Sequence, residues 1–331
     1  MTTSSDHAPI WYPAHLALRQ AASSLRWIDL SGVAFNEPFF HHTVNRASGR
    51  QSMVTGLGES PAGDEHRWIA PSAFIFHVSR CGSTLLCNVF RALNNTQVVA
   101  EPQPIMALLA PYSKSLWPYT AEEWGRKRDQ LLRQMMQRLG QPSLGFASRY
   151  IVKFTSYSAA RMDIIRALWP QVPIVFLVRD PAEVMVSNLH RAPAWMSLME
   201  RPRQARAVFG WTDDINPTSR EEFCARAFGQ LCHSAILHKG PQSMVMDYEE
   251  LVAGGWSRVF AFLGLDTPNA DERLRIAEAT KTYSKDAASE ARFEVDTKIK
   301  RERVTPPIRD AADRWARPYL QQLMRGADGT A

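Results

Sequence analysis

Short apolar runs rich in β-branched and aromatic residues alternate, along most of this chain, with longer stretches of helical spacing. The clearest run is Phe74-Ile75-Phe76-His77-Val78, which predicts a buried strand. It breaks at Ser79-Arg80-Cys81-Gly82 and resumes as an amphipathic helical pattern over residues 83–93. Further strands are predicted at 96–100, 149–153, 173–178 and 243–247. Helices are predicted at 104–110, 121–139, 158–169 and 182–188, then one ending near 262–265 and a last one over 308–324. The 173–178 run is nearly all apolar, as a central parallel strand buried on both faces should be. Strands alternating with helices, without a hairpin signal, predict a parallel α/β sheet.

Residues 1–70 lack strong periodicity. Residues 11–27 read as an amphipathic helix carrying Leu16, Ala17, Arg19, Gln20 and Leu25, and 28–40 as extended pieces around Pro38. The pair His41-His42 is expected in a loop or surface role rather than as metal ligands, followed by turns up to Pro61-Ala62-Gly63-Asp64. The expected organisation is an N-terminal extension (1–70) packed on an α/β domain (71–331). Within that domain, 190–217 carries Trp195, Met196, Met199, Phe209 and Trp211 among several arginines. Such a segment suits a lid that excludes water, or an insertion packed on the core.

The turn after residue 78 is where chemistry is concentrated. A strand, a tight loop and a helix N-terminus form an anion site, because the first helical N–H groups lack intrahelical partners and the macrodipole favours negative charge. Gly82 lets the backbone approach a ligand, Ser83 and Thr84 add hydroxyls, and Arg80 adds a fixed cation. The pattern G-x-x-x-x-G-K-[ST] of nucleotide-triphosphate loops, laid over 77–84, meets His77 at its first glycine and Ser83 at its lysine. Without that lysine, ATP or GTP hydrolysis is disfavoured. In the fourth strand-helix turn, Arg179-Asp180-Pro181 puts an arginine at a strand's carboxyl end, Asp180 at a cap and Pro181 at the first helical position.

Composition narrows the class without naming it. With 331 residues, 45% of them apolar and 22% charged, the chain is that of a globular protein with a full core. A formal charge of +6 suits an anionic ligand but is too diffuse to argue for nucleic acid. The cysteines Cys81, Cys87, Cys224 and Cys232 form no C-x-x-C pair, so reduced thiols are expected rather than zinc or disulfides. No signal peptide is evident and no apolar run is long enough to span a membrane, so a cytoplasmic location is expected.

Four ordered pieces resemble the PAPS-dependent sulfotransferase family. The loop at 77–85 is similar to its 5′-phosphosulfate loop, commonly G-x-P-R-[ST]-G-[ST]-[ST]-L. Arg80, Gly82, Ser83, Thr84 and Leu85 fit, whereas His77, Ser79 and Cys81 depart from the glycine, proline and serine. Ile151-Val152-Lys153 resembles the strand ending in a lysine beside the reacting centre. Val175-Phe176-Leu177-Val178-Arg179-Asp180-Pro181, with Ser187 eight residues after Arg179, resembles the 3′-phosphate site. Asp247-Tyr248-Glu249-Glu250-Leu251 with 260–265 resembles the Y-E-D-L … F-L-G-L segment. More loosely, Thr282-Tyr283-Ser284-Lys285 and the basic run 298–303 look like the late loop that closes over the cofactor; a solvated basic face is the other reading of that run.

The resemblance implies a three-layer, P-loop-like sandwich with a central parallel sheet flanked by helices. It implies a bacterial-type enzyme that moves a sulfuryl group from PAPS to a hydroxyl acceptor without a metal. Residues 80–85, including Cys81, would hold the 5′-phosphosulfate, and Arg179 and Ser187 the 3′-phosphate. Tyr248 would lie near the adenine; Ser284, Lys285, Lys300 and Arg301 belong to the late loop. Arg80 and Lys153 would meet the charge of the transferred group. The acceptor hydroxyl also needs a base. Small-molecule sulfotransferases place a histidine two residues after the strand-end lysine, where this chain has Thr155. Tyrosylprotein-type and several bacterial enzymes instead resemble it at Glu101, the expected base, with His77 as the rival. Sugar, peptide, lipid and small-molecule acceptors all stay open. The departures also fit a non-catalytic nucleotide-binding protein that keeps the phosphate sites.

Overall fold

The computed structural model describes residues 8–19, 22–61, 67–111, 120–212, 216–281 and 297–328. The chain forms two compact units, one of residues 1–72 and 90–152, the other of 73–89 and 153–331.

The first unit contains a three-stranded antiparallel sheet in the order β1 (Trp11–Ala17), β2 (Ser24–Asp29), β3 (Ser52–Gly56). The helix expected over 11–27 is therefore a hairpin, with Tyr12 opposite Ile28 and Leu16 opposite Leu25. Pro13 cannot donate inside a helix, and Trp11, Tyr12, Trp27 and Ile28 favour pleated packing. All four of those residues are buried. The strand β3 falls in the stretch read as turns, and its first three residues are exposed, so no apolar run marks it. His41 and His42 lie in helix α1 (Phe40–Arg46) rather than a loop, with His41 exposed on its surface while Phe40 and Val44 are buried. Beyond the sheet, Gln103 completes β1 with its side chain. Its Oε1 accepts from the Leu16 N–H (2.8 Å) and its Nε2 donates to the Leu16 carbonyl (3.1 Å).

The other unit is built on the parallel strands β4 (Ala73–His77), β7 (Ile174–Val178) and β8 (Ser243–Asp247), with Phe76 opposite Phe176 and Phe176 opposite Val245. With β5 (Thr96–Ala100) and β6 (Arg149–Lys153), they make a five-stranded parallel sheet of order β5-β6-β4-β7-β8. Every residue of β4 and β7 is buried, which is why β7 reads as an unbroken apolar run and β4 as one up to His77. Helices flank the sheet: α2 (Ser83–Arg91), α3 (Gln103–Leu109), α4 (Ala121–Leu139), α5 (Met162–Leu168) and α6 (Pro181–His190) fall at expected places, α5 after a 3-10 turn over Ser156–Arg161, whereas α7 (Pro202–Phe209) and α8 (Arg220–His238) lie where no helix was expected. Thr120 and Glu123 close α4 with a capping box.

Two expected helices are broken. The 308–324 pattern forms Pro306–Trp315 and Arg317–Asp328, because Pro318 cannot donate back across residue 314. The segment after β8 is kinked at Gly254, whose φ of 95° is open to glycine. The apolar residues of 190–217 pack on α8: Trp195 and Phe209 meet edge to face at 5.7 Å, and Trp211 meets Phe223 at 5.6 Å.

Helix α8 approaches the C-terminal helices most closely at Gly229, where an added Cβ would stand 2.0 Å from the Trp315 carbonyl oxygen. Helix propensity alone would make Gly229→Ala stabilising by about 0.5–1 kcal/mol. The backbone overlap reverses that sign, and urea unfolding should show a loss of about 1–3 kcal/mol.

Candidate functional site

Strand β4 ends at His77, and α2 begins at Ser83. Between them Ser79 (φ 76°), Arg80 (φ 51°) and Gly82 (φ 79°) are left-handed. Two consecutive non-glycine residues in this region cost of order 1–3 kcal/mol each, and such backbone persists only where its surroundings hold it. A Cβ on Gly82 would come within 3.0 Å of Leu251 and 3.1 Å of Tyr248, so both the backbone hand and the close packing favour glycine there. Successive N–H groups of a loop of this hand form a concavity for an anion.

The histidine before the loop is occupied by the backbone. His77 Nδ1 accepts from the Ser79 N–H (3.0 Å), which leaves Nε2–H to donate to the Phe154 carbonyl (3.1 Å). Cys81 is buried, and its thiol donates to the Leu177 carbonyl (3.4 Å), so its side chain faces the sheet. Ser83, Thr84 and Leu85 are buried in the first turn of α2. Among the described residues, the buried Thr84 Oγ1 has no hydrogen-bond partner, and neither has Ser187 Oγ on α6. A buried hydroxyl without a partner carries its full desolvation cost, and these two fall at the two expected phosphate contacts.

Lys153 closes β6 and is only 1% exposed. The next residue, Phe154, donates its N–H to the Ile75 carbonyl (3.0 Å), fixing that strand end beside β4. Thr155 bonds Ser158 through their hydroxyls at 2.8 Å.

Arg179 ends the neighbouring strand and is likewise buried. Its Nε donates to Glu183 Oε2 (2.8 Å), and its guanidinium lies 3.8 Å from the Tyr248 ring centroid. It also donates to the Arg80 carbonyl and to Thr297 Oγ1, both at 3.4 Å. Tyr248 thus packs against both Arg179 and Gly82. The other oxygen of Glu183 accepts from Arg301 Nε (2.8 Å), and Arg301 also bonds Glu249. Hydrogen bonding to Glu183 raises the Arg301 pKa further. Asp180 caps α6 as expected, accepting from the Ala182 N–H (2.9 Å).

These groups line a cavity of about 200 Å³ formed by Arg179, Asp180, Glu183, Asp247, Glu249, Arg301 and Leu320. Burial, reinforced by Glu249, raises the Asp247 carboxyl above its ordinary range. Lys300 lies half-buried in the same short helix as Arg301, Thr297–Glu302. Ser284 and Lys285 lie outside the described residues. Sequence reasoning missed Glu183, whose signal is its four-residue spacing from Arg179 on one helix face. It also missed Thr297 and Asn188, which no spacing marks.

In the first unit, Glu101 follows β5 with a left-handed backbone (φ 55°) and is half-buried before Pro102. The same unit holds His41, whose pKa is lowered by burial and by His42 and is opposed by the charge of Glu101. His41 and His42 stand ring to ring at 4.2 Å.

A parallel sheet flanked by helices, whose central strand runs through a left-handed loop into a helix N-terminus, defines an α/β protein with a turn of a shape that suits an anion. No family model matches the chain, and no curated protein matches it. Among solved structures it is similar to a mouse sulfotransferase complexed with PAP, at 15% identity and TM-score 0.36, over 79% of this chain and 84% of that one. It is also similar to the sulfotransferase domain of the curacin biosynthetic pathway (13%, TM-score 0.42, 79% and 99%). A third is a sulfotransferase from Alicyclobacillus acidocaldarius (14%, TM-score 0.38, 78% and 96%). Among the described residues, no helix is long and apolar enough to cross a membrane.

Removing either partnerless hydroxyl should not weaken the unliganded protein. Thr84→Val and Ser187→Ala are expected to leave the Tm unchanged or raise it, by up to about 1 kcal/mol of stability. A clear fall in Tm for both would mean that these hydroxyls are satisfied within the fold. The thiols give a second check, since all four cysteines are free and buried and burial pushes the Cys224 thiol up to about 12. Ellman's reagent at pH 8 should therefore react slowly with native protein and with four thiols after unfolding.

Proposed function

We propose that this protein is a sulfotransferase that moves a sulfuryl group from PAPS to a hydroxyl acceptor. The observation that carries this reading is the pair of buried, partnerless hydroxyls, Thr84 at the left-handed loop and Ser187 on α6. Each falls at a position where the sequence resemblance expects a different phosphate of the same nucleotide. The residues present fit that nucleotide. Residues 80–85 would hold its 5′-phosphosulfate and Arg179 and Ser187 its 3′-phosphate, with Lys300 and Arg301 in the late loop that closes over it and Ser284 and Lys285 assigned by resemblance alone. Tyr248 would border the base while supporting Arg179.

PAPS, when bound, supplies an activated sulfuryl group. The protein's part is to neutralise charge and move one proton. Arg80 and Lys153 are the cations assigned to the transferred group, and the burial of Lys153 keeps its charge away from solvent screening. Glu101 is the proposed base. His77 is the weaker candidate, because both of its ring nitrogens bond the backbone. The left-handed backbone of Glu101 also supports the choice, since strain of this kind collects at functional positions. Four free, buried thiols suit a reducing compartment such as the cytoplasm.

Calorimetric titration with adenosine 3′,5′-bisphosphate, 5′-AMP and ATP–magnesium tests the donor assignment. The bisphosphate should bind at least about tenfold tighter than 5′-AMP, and Arg179→Ala or Ser187→Ala should erase most of that difference. Preference for ATP–magnesium, or no binding at all, would overturn the reading. Glu101→Gln should retain bisphosphate affinity while lowering turnover by about 10²-fold or more across a panel of phenolic, sugar and peptide acceptors. Wild-type binding with no turnover of any acceptor would favour the non-catalytic alternative.

A further inference from the structure

Next to Ser187 on α6 stands Asn188, which is 1% exposed and has no part in the roles assigned above. Its Oδ1 accepts from Ser79 Oγ (3.3 Å) and from Arg80 Nε (3.4 Å). Its Nδ2 faces Cys224 Sγ on α8 at 3.8 Å, which turns the amide oxygen toward the loop. Just past the end of the same helix, the Arg191 carbonyl accepts from Arg80 Nη2 (2.8 Å). Asn188 thus grips both left-handed non-glycine residues of the loop, and α6 together with the residue that caps its end holds the Arg80 guanidinium at two points. The last carbonyls of a helix carry partial negative charge, which favours a cation there.

We propose that Asn188 is a positioning residue that fixes Arg80 and the left-handed loop for the 5′-phosphosulfate. The inference rests on the sulfotransferase reading and deepens it: α6 would serve both phosphates, through Ser187 directly and through Asn188 by way of Arg80. Asparagine has the chemistry the position needs. It accepts two hydrogen bonds without bringing a negative charge of its own to Arg80. An aspartate would pair with Arg80 and repel the ligand, and a leucine would leave both loop donors without this acceptor.

The test compares adenosine 3′,5′-bisphosphate with adenosine 3′-monophosphate, which lacks the group the loop would hold. Calorimetry on wild type should show binding of both. Asn188→Leu should weaken the bisphosphate about ten- to a hundredfold and leave the 3′-monophosphate unchanged. Arg80→Ala should show the same selectivity, and adding Asn188→Leu to it should cause little further loss. Asn188→Asp, nearly isosteric, should give the selective loss even if the leucine variant does not fold. Equal weakening of both ligands, additive losses, or unchanged affinity would reduce Asn188 to a packing role and overturn the proposal. A wild type that binds neither nucleotide would instead remove the sulfotransferase reading on which the proposal stands.

Discussion

The loop between β4 and α2 is held in a backbone hand that its own residues disfavour, and much of the unit formed by 73–89 and 153–331 is arranged to keep it there. Ser79 and Arg80 are left-handed without being glycine. What holds them is side-chain chemistry from three directions: His77 takes the Ser79 N–H, Asn188 takes the Ser79 hydroxyl and the Arg80 Nε, and Arg179 reaches the Arg80 carbonyl. Each contact is modest alone. Together they over-determine a conformation that free peptide would leave, which is the condition for a preorganised anion site.

A second constraint is the buried line of charge Arg179–Glu183–Arg301. Arg179 and Glu183 are almost wholly shielded, and a desolvated pair is stable only when its remaining hydrogen-bonding capacity is also met. Here Tyr248, Thr297 and the Arg80 carbonyl complete Arg179, and Arg301 completes Glu183. The pairing keeps a cation at the end of β7 without leaving it uncompensated in the interior. It also ties the short helix Thr297–Glu302 to α6, so the basic run in the sequence is a clamp as well as a solvated face.

Against these satisfied groups, the hydroxyls of Thr84 and Ser187 stand out. Stability alone gives no reason to bury an unpaired oxygen, and an apolar residue of the same shape would serve the fold better. Their retention is understandable where a ligand supplies the missing partner.

The apolar runs by themselves determined the parallel strands, because a strand buried on both faces must be apolar throughout and therefore announces itself. The loop with Arg80, Gly82, Ser83 and Thr84 was legible for a related reason: close backbone approach, hydroxyl donors and a cation restrict residue type at fixed spacing. The hairpin at 11–29 is misread when its apolar residues are fitted to a helical spacing and Pro13 and the aromatic residues that favour a strand are given no weight. The pairing of β1 with β2 and of β2 with β3 settles it. The break at Ala316 was not legible, nor was the sharing of Glu183 between two arginines 122 residues apart in sequence (301 − 179). Asn188 is the sharpest case. Nothing local distinguishes it from any polar residue on a helix, and its meaning comes from the loop that the tertiary fold lays against it, because hydrogen bonds between distant residues leave no periodicity in the chain.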